Sequence, residues 1–264
     1  CIFHCTNYNT LKKQNITNYY QRCLVLQKYS KLNNSFICIS NDTQIYAQKV
    51  LPKKYHNNIH FLPNAISFQK FERINETKTS IPSKINLINI GSFVDKKNQL
   101  FLIELVSVLK NKSIDVCLHL IGDGVNRKKI EQRIGELKVQ SEVILHGYID
   151  NVETILWQLS IYVHSAYYEP FGLVLLEAMA AGLPVVCLDG GGNRDIIENG
   201  KNGFMIENAD AEEFANKIIE LHTNKTLYNN ISEYAQHFAK KYDIKEYVDK
   251  LLEIYEKAPT CKKK

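Results

Sequence analysis

Two glutamates, Glu169 and Glu177, stand eight residues apart in the stretch EPFGLVLLEAMAAG that runs from Glu169 to Gly182. A carboxylate can orient a hydroxyl, stabilise a positive charge or move a proton, and the spacing narrows the choice. On a continuous helix, at ~100° per residue, the pair would lie about 80° apart in azimuth and about 12 Å apart along the axis. That is wider than the ~5 Å between two carboxylates that flank one bond in a retaining glycosidase. It suits two acids that hold hydroxyls at opposite ends of an elongated ligand. The N–H groups of Phe171, Gly172 and Leu173 fall between them and are free to bind an anion, with Gly172 permitting close approach.

The elements that must position these acids are legible on either side. Residues 160–165 read as a short buried strand and residues 183–189 as another. Between them Pro170 suits a first-turn position, Leu, Met and Ala favour a helix, and Gly182 is a natural stop. Strand, helix, strand is a parallel crossover, and in such sheets ligands bind outside the carboxyl ends of the strands.

Three other strand ends carry chemistry of the same kind. Gly91-Ser92 opens a turn that ends in Lys96-Lys97, where backbone and an ammonium group can approach phosphate oxygens. Gly122-Asp123-Gly124 follows a second strand and reads equally as a plain turn. His146-Gly147-Tyr148 follows a third, with Tyr148 either stacking on a ligand or half-buried in the core. After the 183–189 strand comes Gly190-Gly191-Gly192-Asn193-Arg194-Asp195, where Arg194 could meet a phosphate or pair with Asp195.

Composition sets the bounds. The chain has 264 residues, 45% hydrophobic and 23% charged, as an ordinary α/β protein does, with a formal charge of +5 that fits anionic ligands. Seven cysteines at positions 1, 5, 23, 38, 117, 187 and 261 form no C-x-x-C pair and point to a reducing cytoplasm. No apolar run reaches the ~18 residues of a membrane span. The chain opens at Cys1 in mid-pattern, which suggests missing N-terminal sequence.

Along the chain, residues 11–31 read as a basic helix, 35–40 as a strand, and Asn41-Asp42 as the cap of a helix to about Val50. A short strand at 58–62 ends at Pro63-Asn64. Residues 68–84 are polar and form the expected linker. From Ile85 the pattern alternates: strand 85–91, helix 98–110, strand 116–121, helix 126–138, strand 142–146, helix 151–159. After the 160–189 crossover come a short helix near 193–199, a strand at 203–206, and helices at 210–222, 226–240 and 245–257. That order predicts an α/β fold with a doubly wound parallel sheet.

The segment EPFGLVLLEAMAAGLPVV with the following glycine pair closely resembles the donor-site signature of retaining family 4 glycosyltransferases of the GT-B fold. The Gly91–Asn98 turn is similar to the family's G-R-h-x-x-x-K-G/N loop, with Lys97 at the lysine and Ser92 where arginine is usual. The resemblance implies a complete Rossmann-like donor domain over residues 85–242, with helices on both faces of a parallel sheet. Residues 1–67 would be the end of an incomplete N-terminal domain, 68–84 the linker, 243–258 a helix crossing back, and 259–264 a tail. It also implies roles. Glu169 would meet the transferred sugar and Glu177 the ribose hydroxyls. The amides of Phe171, Gly172 and Leu173 would hold sugar and diphosphate, while Gly91, Ser92 and Lys97 would neutralise the diphosphate. Tyr148 would lie at the base, and His4, ending an N-domain strand, would face the donor sugar, so the implied catalytic set is Glu169, Lys97 and His4.

The implied reaction is metal-independent, retaining transfer from a nucleoside diphosphate sugar (UDP or GDP), with no other cofactor, to a glycan or lipid-linked hydroxyl. No nucleic-acid partner is expected. The expected location is the cytoplasm, and the basic segment 11–31 is read either as a solvated face or as a peripheral contact at the inner face of the membrane. The rival reading is a nucleotide-sugar-binding module or degenerate partner subunit without chemistry. A dinucleotide dehydrogenase is disfavoured because no strand runs into G-x-G-x-x-G.

Overall fold

The computed structural model describes residues 2–5, 35–73 and 83–257. The chain divides into two units, Cys1–Ala65 with Ile244–Lys264, and Ile66–Asp243. The expected helix at 11–31 lies outside the described residues.

In the first unit, β1 (Ile2–Cys5), β2 (Ser35–Cys38) and β3 (Ile59–Phe61) form a parallel sheet in that order. His4 lies in register with Ile37. The central strand, Ser-Phe-Ile-Cys, is buried throughout, as a strand covered on both faces must be. Helix α1 (Asn41–Val50) packs over it, and Phe36, Cys38, Ala47, Leu51 and Tyr55 make the core. The cap of α1 is Ser40, one residue before the expected Asn41-Asp42. Ser40 Oγ accepts from Thr43 N at 3.3 Å and Thr43 Oγ1 accepts from Ser40 N at 3.0 Å, a reciprocal pair that an aspartate in the first turn cannot form.

The second unit opens earlier than the expected linker end. Helix α2 (Phe68–Phe71) buries both phenylalanines, Asp243 Oδ2 accepts from Phe68 N at 3.2 Å, and Trp157 Nε1 donates to Phe71 O at 2.9 Å. A polar composition concealed two well-placed aromatics, so residues 68–71 are part of this unit and not a free connection.

Its sheet holds β4 (Ile85–Ile90), β5 (Val116–Ile121), β6 (Val143–Gly147), β7 (Ile161–His164), β8 (Val185–Leu188) and β9 (Gly203–Ile206). All pairings are parallel and the order is β6-β5-β4-β7-β8-β9. Between the strands run α3 (Gln99–Asn111), α4 (Arg127–Glu136), α5 (Val152–Leu156) and α6 (Leu173–Ala180). Helices α7 (Ala211–Thr223) and α8 (Lys225–Lys240) follow β9, and α9 (Ile244–Lys257) belongs to the first unit. Helix α6 starts three residues after Pro170, which lies in the preceding turn, and the helix near 193–199 is a 3-10 turn over Gly192–Asp195. The other expected elements lie within a few residues of those observed.

Leu87, Leu118, Val163, Val186 and Ile206 share one apolar core with Phe101, Leu105, Ile130 and Phe214 from α3, α4 and α7. Strand alternation turns Ile88, Tyr162, His164, Val185 and Cys187 to the other face. Among the described residues no helix is long and apolar enough to cross a membrane.

The order fixes where a ligand can sit. The chain builds outward from β4 through β5 to β6, then returns to β7 on the other side of β4. Loops leaving β4 and β7 therefore diverge, and the crevice between them, at the carboxyl ends of the strands, is the switch point of a doubly wound sheet.

Candidate active site

Lys97 leaves the β4 side of that crevice. Its 3-10 turn, Asp95–Lys97, ends in Asn98 at φ 51°, a left-handed position that asparagine tolerates. Two bonds clip the turn to the segment after β7: Ser165 Oγ donates to Lys97 O at 2.8 Å, and Tyr167 N donates to Lys96 O at 3.2 Å. Gln99 Nε2 holds Ser92 O at 3.1 Å. Ser92 is exposed and Gly91 lies beside the Lys97 stem, so a Cβ there would meet Lys97 Cδ and Cε at 3.9 Å.

Glu169 enters from the β7 side. It is extended and not helical: Glu169 N donates to Gly190 O at 2.7 Å and Gly192 N donates to Glu169 O at 2.8 Å, a bridge centred on Gly191. The helical 80° and 12 Å relation to Glu177 is therefore corrected, because Gly172 at φ 99° breaks the path between the two acids. The triple glycine is explained by the same bridge. A Cβ on Gly192 would fall 2.2 Å from Pro170 O, and one on Gly190 would fall 2.9 Å from Ala166 O.

Lys97 Nζ and Glu169 Oε2 form a close ion pair, with side chains 18% and 12% exposed. His164 Nε2 stands 3.4 Å from the same oxygen. Burial alone would push the Glu169 carboxyl up, but the His164 contact and the Lys97 charge together bring it down to about 2. No hydrogen bond from the described residues reaches Oε1. One oxygen is fixed and the other is open.

Helix α6 begins beside this acid with no side-chain cap. Among the described residues the amides of Phe171, Gly172, Leu173 and Val174 have no acceptor. An uncapped helix start of this kind attracts an anion through its N–H groups and its dipole. The Phe171 side chain itself is core, 6.0 Å from the Tyr242 ring, so only its backbone faces the crevice. Leu173 is partly exposed at the first helical position.

Glu177 lies one turn into α6. Its carboxyl is pushed up, chiefly by burial, with Lys70 opposing and Glu153 adding to the shift. Its carboxylate has no hydrogen bond or ion pair among the described residues. Both Glu169 and Glu177 act on the buried Tyr162 phenol, which burial pushes up and the Ile90 backbone pulls down.

Tyr148 is 78% exposed on the loop after β6, which removes the core reading and leaves its ring open. From β6 to β7 is three strand spacings, about 14 Å, a span that suits an extended ligand. Gly122 and Gly124 have a structural cause: a Cβ on Gly122 would lie 2.2 Å from Gly91 O, and one on Gly124 2.5 Å from Phe93 O. Arg194 pairs with Asp189, at 2.7 and 3.0 Å to Oδ2. The side chain of His4 lies outside what the structure describes.

Sequence reading passed over His164, Ser165 and Asn193. Asn193 is fully buried, donates to Leu188 O at 2.8 Å and, among the described residues, leaves Oδ1 without a partner near Gly172. The available signal was polarity: His164 and Ser165 close an apolar strand immediately before the acid.

A doubly wound sheet with an acid, a lysine and open amides at its switch point defines a ligand-binding α/β domain. Residues 70–238 match the model of the family Glycosyl transferases group 1, and the chain belongs to that family. Poly(glycerol-phosphate) alpha-glucosyltransferase of Bacillus subtilis (strain 168) is 29% identical over 172 residues, covering 64% of this chain and 26% of its own length. Lipopolysaccharide core biosynthesis glycosyltransferase LpsE of Rhizobium meliloti (strain 1021) is 29% identical over 197 residues, covering 74% and 57%. The chain thus spans only part of the length of these relatives.

Two solved structures share the fold, which is of the GT-B type. A point mutant of S. aureus TarM, in complex with fondaparinux, alpha-GlcNAc-glycerol and UDP, superposes with TM-score 0.76 at 25% identity, over 89% of this chain and 46% of its own. Anabaena HepE in complex with UDP and glucose gives 0.83 at 18% identity, over 97% and 71%.

Proposed function

We propose that this chain carries the donor site of a retaining glycosyltransferase. The enzyme would move a sugar from a UDP- or GDP-sugar to a hydroxyl of a glycan or lipid-linked acceptor, in cell-surface polysaccharide or glycolipid synthesis. The observation that carries the reading is Glu169, with Oε2 held by Lys97 and Oε1 open, beside four amides without acceptors at the tip of α6. The relatives support it through what their names print: one acts on poly(glycerol-phosphate) and one in lipopolysaccharide core biosynthesis. TarM and HepE were both solved with UDP.

In this reading the diphosphate lies against the amides of Phe171 to Val174 and the Lys97 ammonium. The sugar faces Glu169, the ribose hydroxyls face Glu177, and the base lies toward Tyr148. The bond from the anomeric carbon to the phosphate oxygen breaks while the acceptor oxygen bonds on the same face, and its proton passes to the departing phosphate. A carboxyl held at about 2 stays ionised at neutral pH, which suits it to stabilise positive charge at the anomeric carbon. Lys97 and the helix tip supply the opposite field at the leaving group, so the transfer is proposed to need no metal. The acceptor chemistry favours the cytoplasm at the inner face of the membrane, which sedimentation with anionic liposomes tests.

In the full-length protein, Glu169→Ala and Lys97→Ala are expected to lower turnover by about 100-fold or more while the fold survives, as loss of one electrostatic contact at a reacting centre does. A chelator is expected to leave the wild-type rate unchanged. Wild-type turnover in both variants overturns the assignment. Donor binding with no turnover on any acceptor would instead favour a nucleotide-sugar-binding module or degenerate partner subunit.

A further inference from the structure

His164 closes β7 one residue before the loop that carries Glu169. Its side chain is 1% exposed, and neither ring nitrogen has a satisfied hydrogen bond among the described residues. A buried imidazole without partners is unfavourable unless something completes it. Among the described residues Glu169 Oε2 stands 3.4 Å from Nε2, a contact too long to satisfy the nitrogen and short enough to close by a small rotation. Tyr162 stacks on the ring at 6.2 Å and fixes its plane. At 1% exposure the ring is closed to direct contact with a ligand.

We propose that His164 is a positioning residue for the sugar-facing acid: Nε2–H donates to Glu169 Oε2 from inside the fold, so that Lys97 and His164 fix one oxygen and turn Oε1 to the donor. The inference rests on the reading of Glu169 given above. Contacts of this kind are often long in a ligand-free site and tighten when substrate binds. Charge favours the arrangement. Burial pushes the imidazole down, the Glu169 contact opposes this and the Lys97 charge adds to it, for a net downward shift that favours the neutral ring. A neutral ring offers one donor, and Glu169 is the group placed to receive it. The groups facing the imidazole are Lys97 from the turn after β4, Glu169 from its own loop, Tyr162 from its own strand and Cys187 from β8, its partner in register.

The test uses the full-length protein with His164→Ala and His164→Gln, read by transfer kinetics, by affinity for UDP and GDP alone and for their sugars, and by thermal melting. His164→Ala is expected to lower kcat by about 100-fold, the scale of a reacting group displaced by ~1 Å, and to weaken nucleotide-sugar binding while leaving nucleoside diphosphate binding unchanged. His164→Gln keeps an N–H donor of similar reach and is expected to recover most of the rate. Equal loss of diphosphate and sugar-nucleotide binding, or no recovery in a folded Gln variant, overturns the proposal. Nitrogen NMR of the wild type needs no variant: His164 is expected as the Nε2–H tautomer at about pH 8, above the ordinary imidazole value, and an Nδ1–H tautomer there also overturns it. If Glu169→Ala abolishes transfer while His164→Ala does not, only this inference fails. If neither variant matters, the enzyme reading fails with it.

Discussion

Gly192 lies so close to Pro170 that a Cβ on it would fall 2.2 Å from the Pro170 carbonyl oxygen. That contact ties the glycine turn after β8 to the residue beside Glu169, and it is why the acid sits in an extended bridge before the helix begins. Gly192→Ala is expected to destabilise the protein by about 2–3 kcal/mol, since neither backbone can yield, and to weaken donor binding with it. Gly147 offers the control. It has φ 71° but nothing within 4 Å of where an added methyl would stand, so Gly147→Ala should lose only about 1 kcal/mol from backbone strain. Urea melts of the two variants check the ranking.

The Lys97–Glu169 pair makes stability depend on acid. The Glu169 carboxyl falls from 4.5 unfolded to about 2 folded, so its contribution is complete above about 4.5 and is lost as pH falls through about 2. At one unit per 1.36 kcal/mol the window is worth about 3 kcal/mol. Glu169→Gln should flatten the stability profile across that window. Lys97→Met leaves a largely buried carboxylate without its cation, so the double variant Lys97→Met/Glu169→Gln should melt higher than Lys97→Met alone. A double variant no more stable than the single would mean that the pair contributes nothing beyond its separate parts.

Glu177 has the opposite sign. Its folded carboxyl is raised, so the folded state binds a proton more tightly than the unfolded one, and stability declines as pH rises from the unfolded value through the folded one. At about pH 7–8, above the ordinary carboxylate range, Glu177→Gln is expected to raise Tm and to weaken affinity for the nucleotide, the exchange seen where a binding group is kept at the expense of stability. Calorimetric melting and diphosphate titration of the same variant measure both effects.

Tyr148 is expected to matter only for the ligand. With 78% of its surface in solvent, Tyr148→Ala should change stability by less than about 0.5 kcal/mol. If the ring stacks on a base, nucleotide affinity should fall by about tenfold, the scale of one base–aromatic contact. An unchanged dissociation constant removes Tyr148 from the site.

Residue order by itself determined the alternation of strands and helices, the two acids, the lysine turn and the glycine runs, because periodicity, capping and turn chemistry are local. It also placed the lysine turn and Tyr148 at strand ends and the two acids around the start of one helix. It misplaced the start of α6, since Pro170 satisfies a helix start locally and only the pairing of Glu169 with Gly190 and Gly192 holds the chain extended there. Residues 68–71 read as linker because two phenylalanines among polar neighbours carry no period, and their burial against α6 is a tertiary fact. The β4–β7 adjacency, which brings Lys97 to Glu169 across 72 positions of sequence, is set by the order of strands in the sheet. No spacing along the chain encodes that order, and without it His164 is simply a polar residue at the end of a strand.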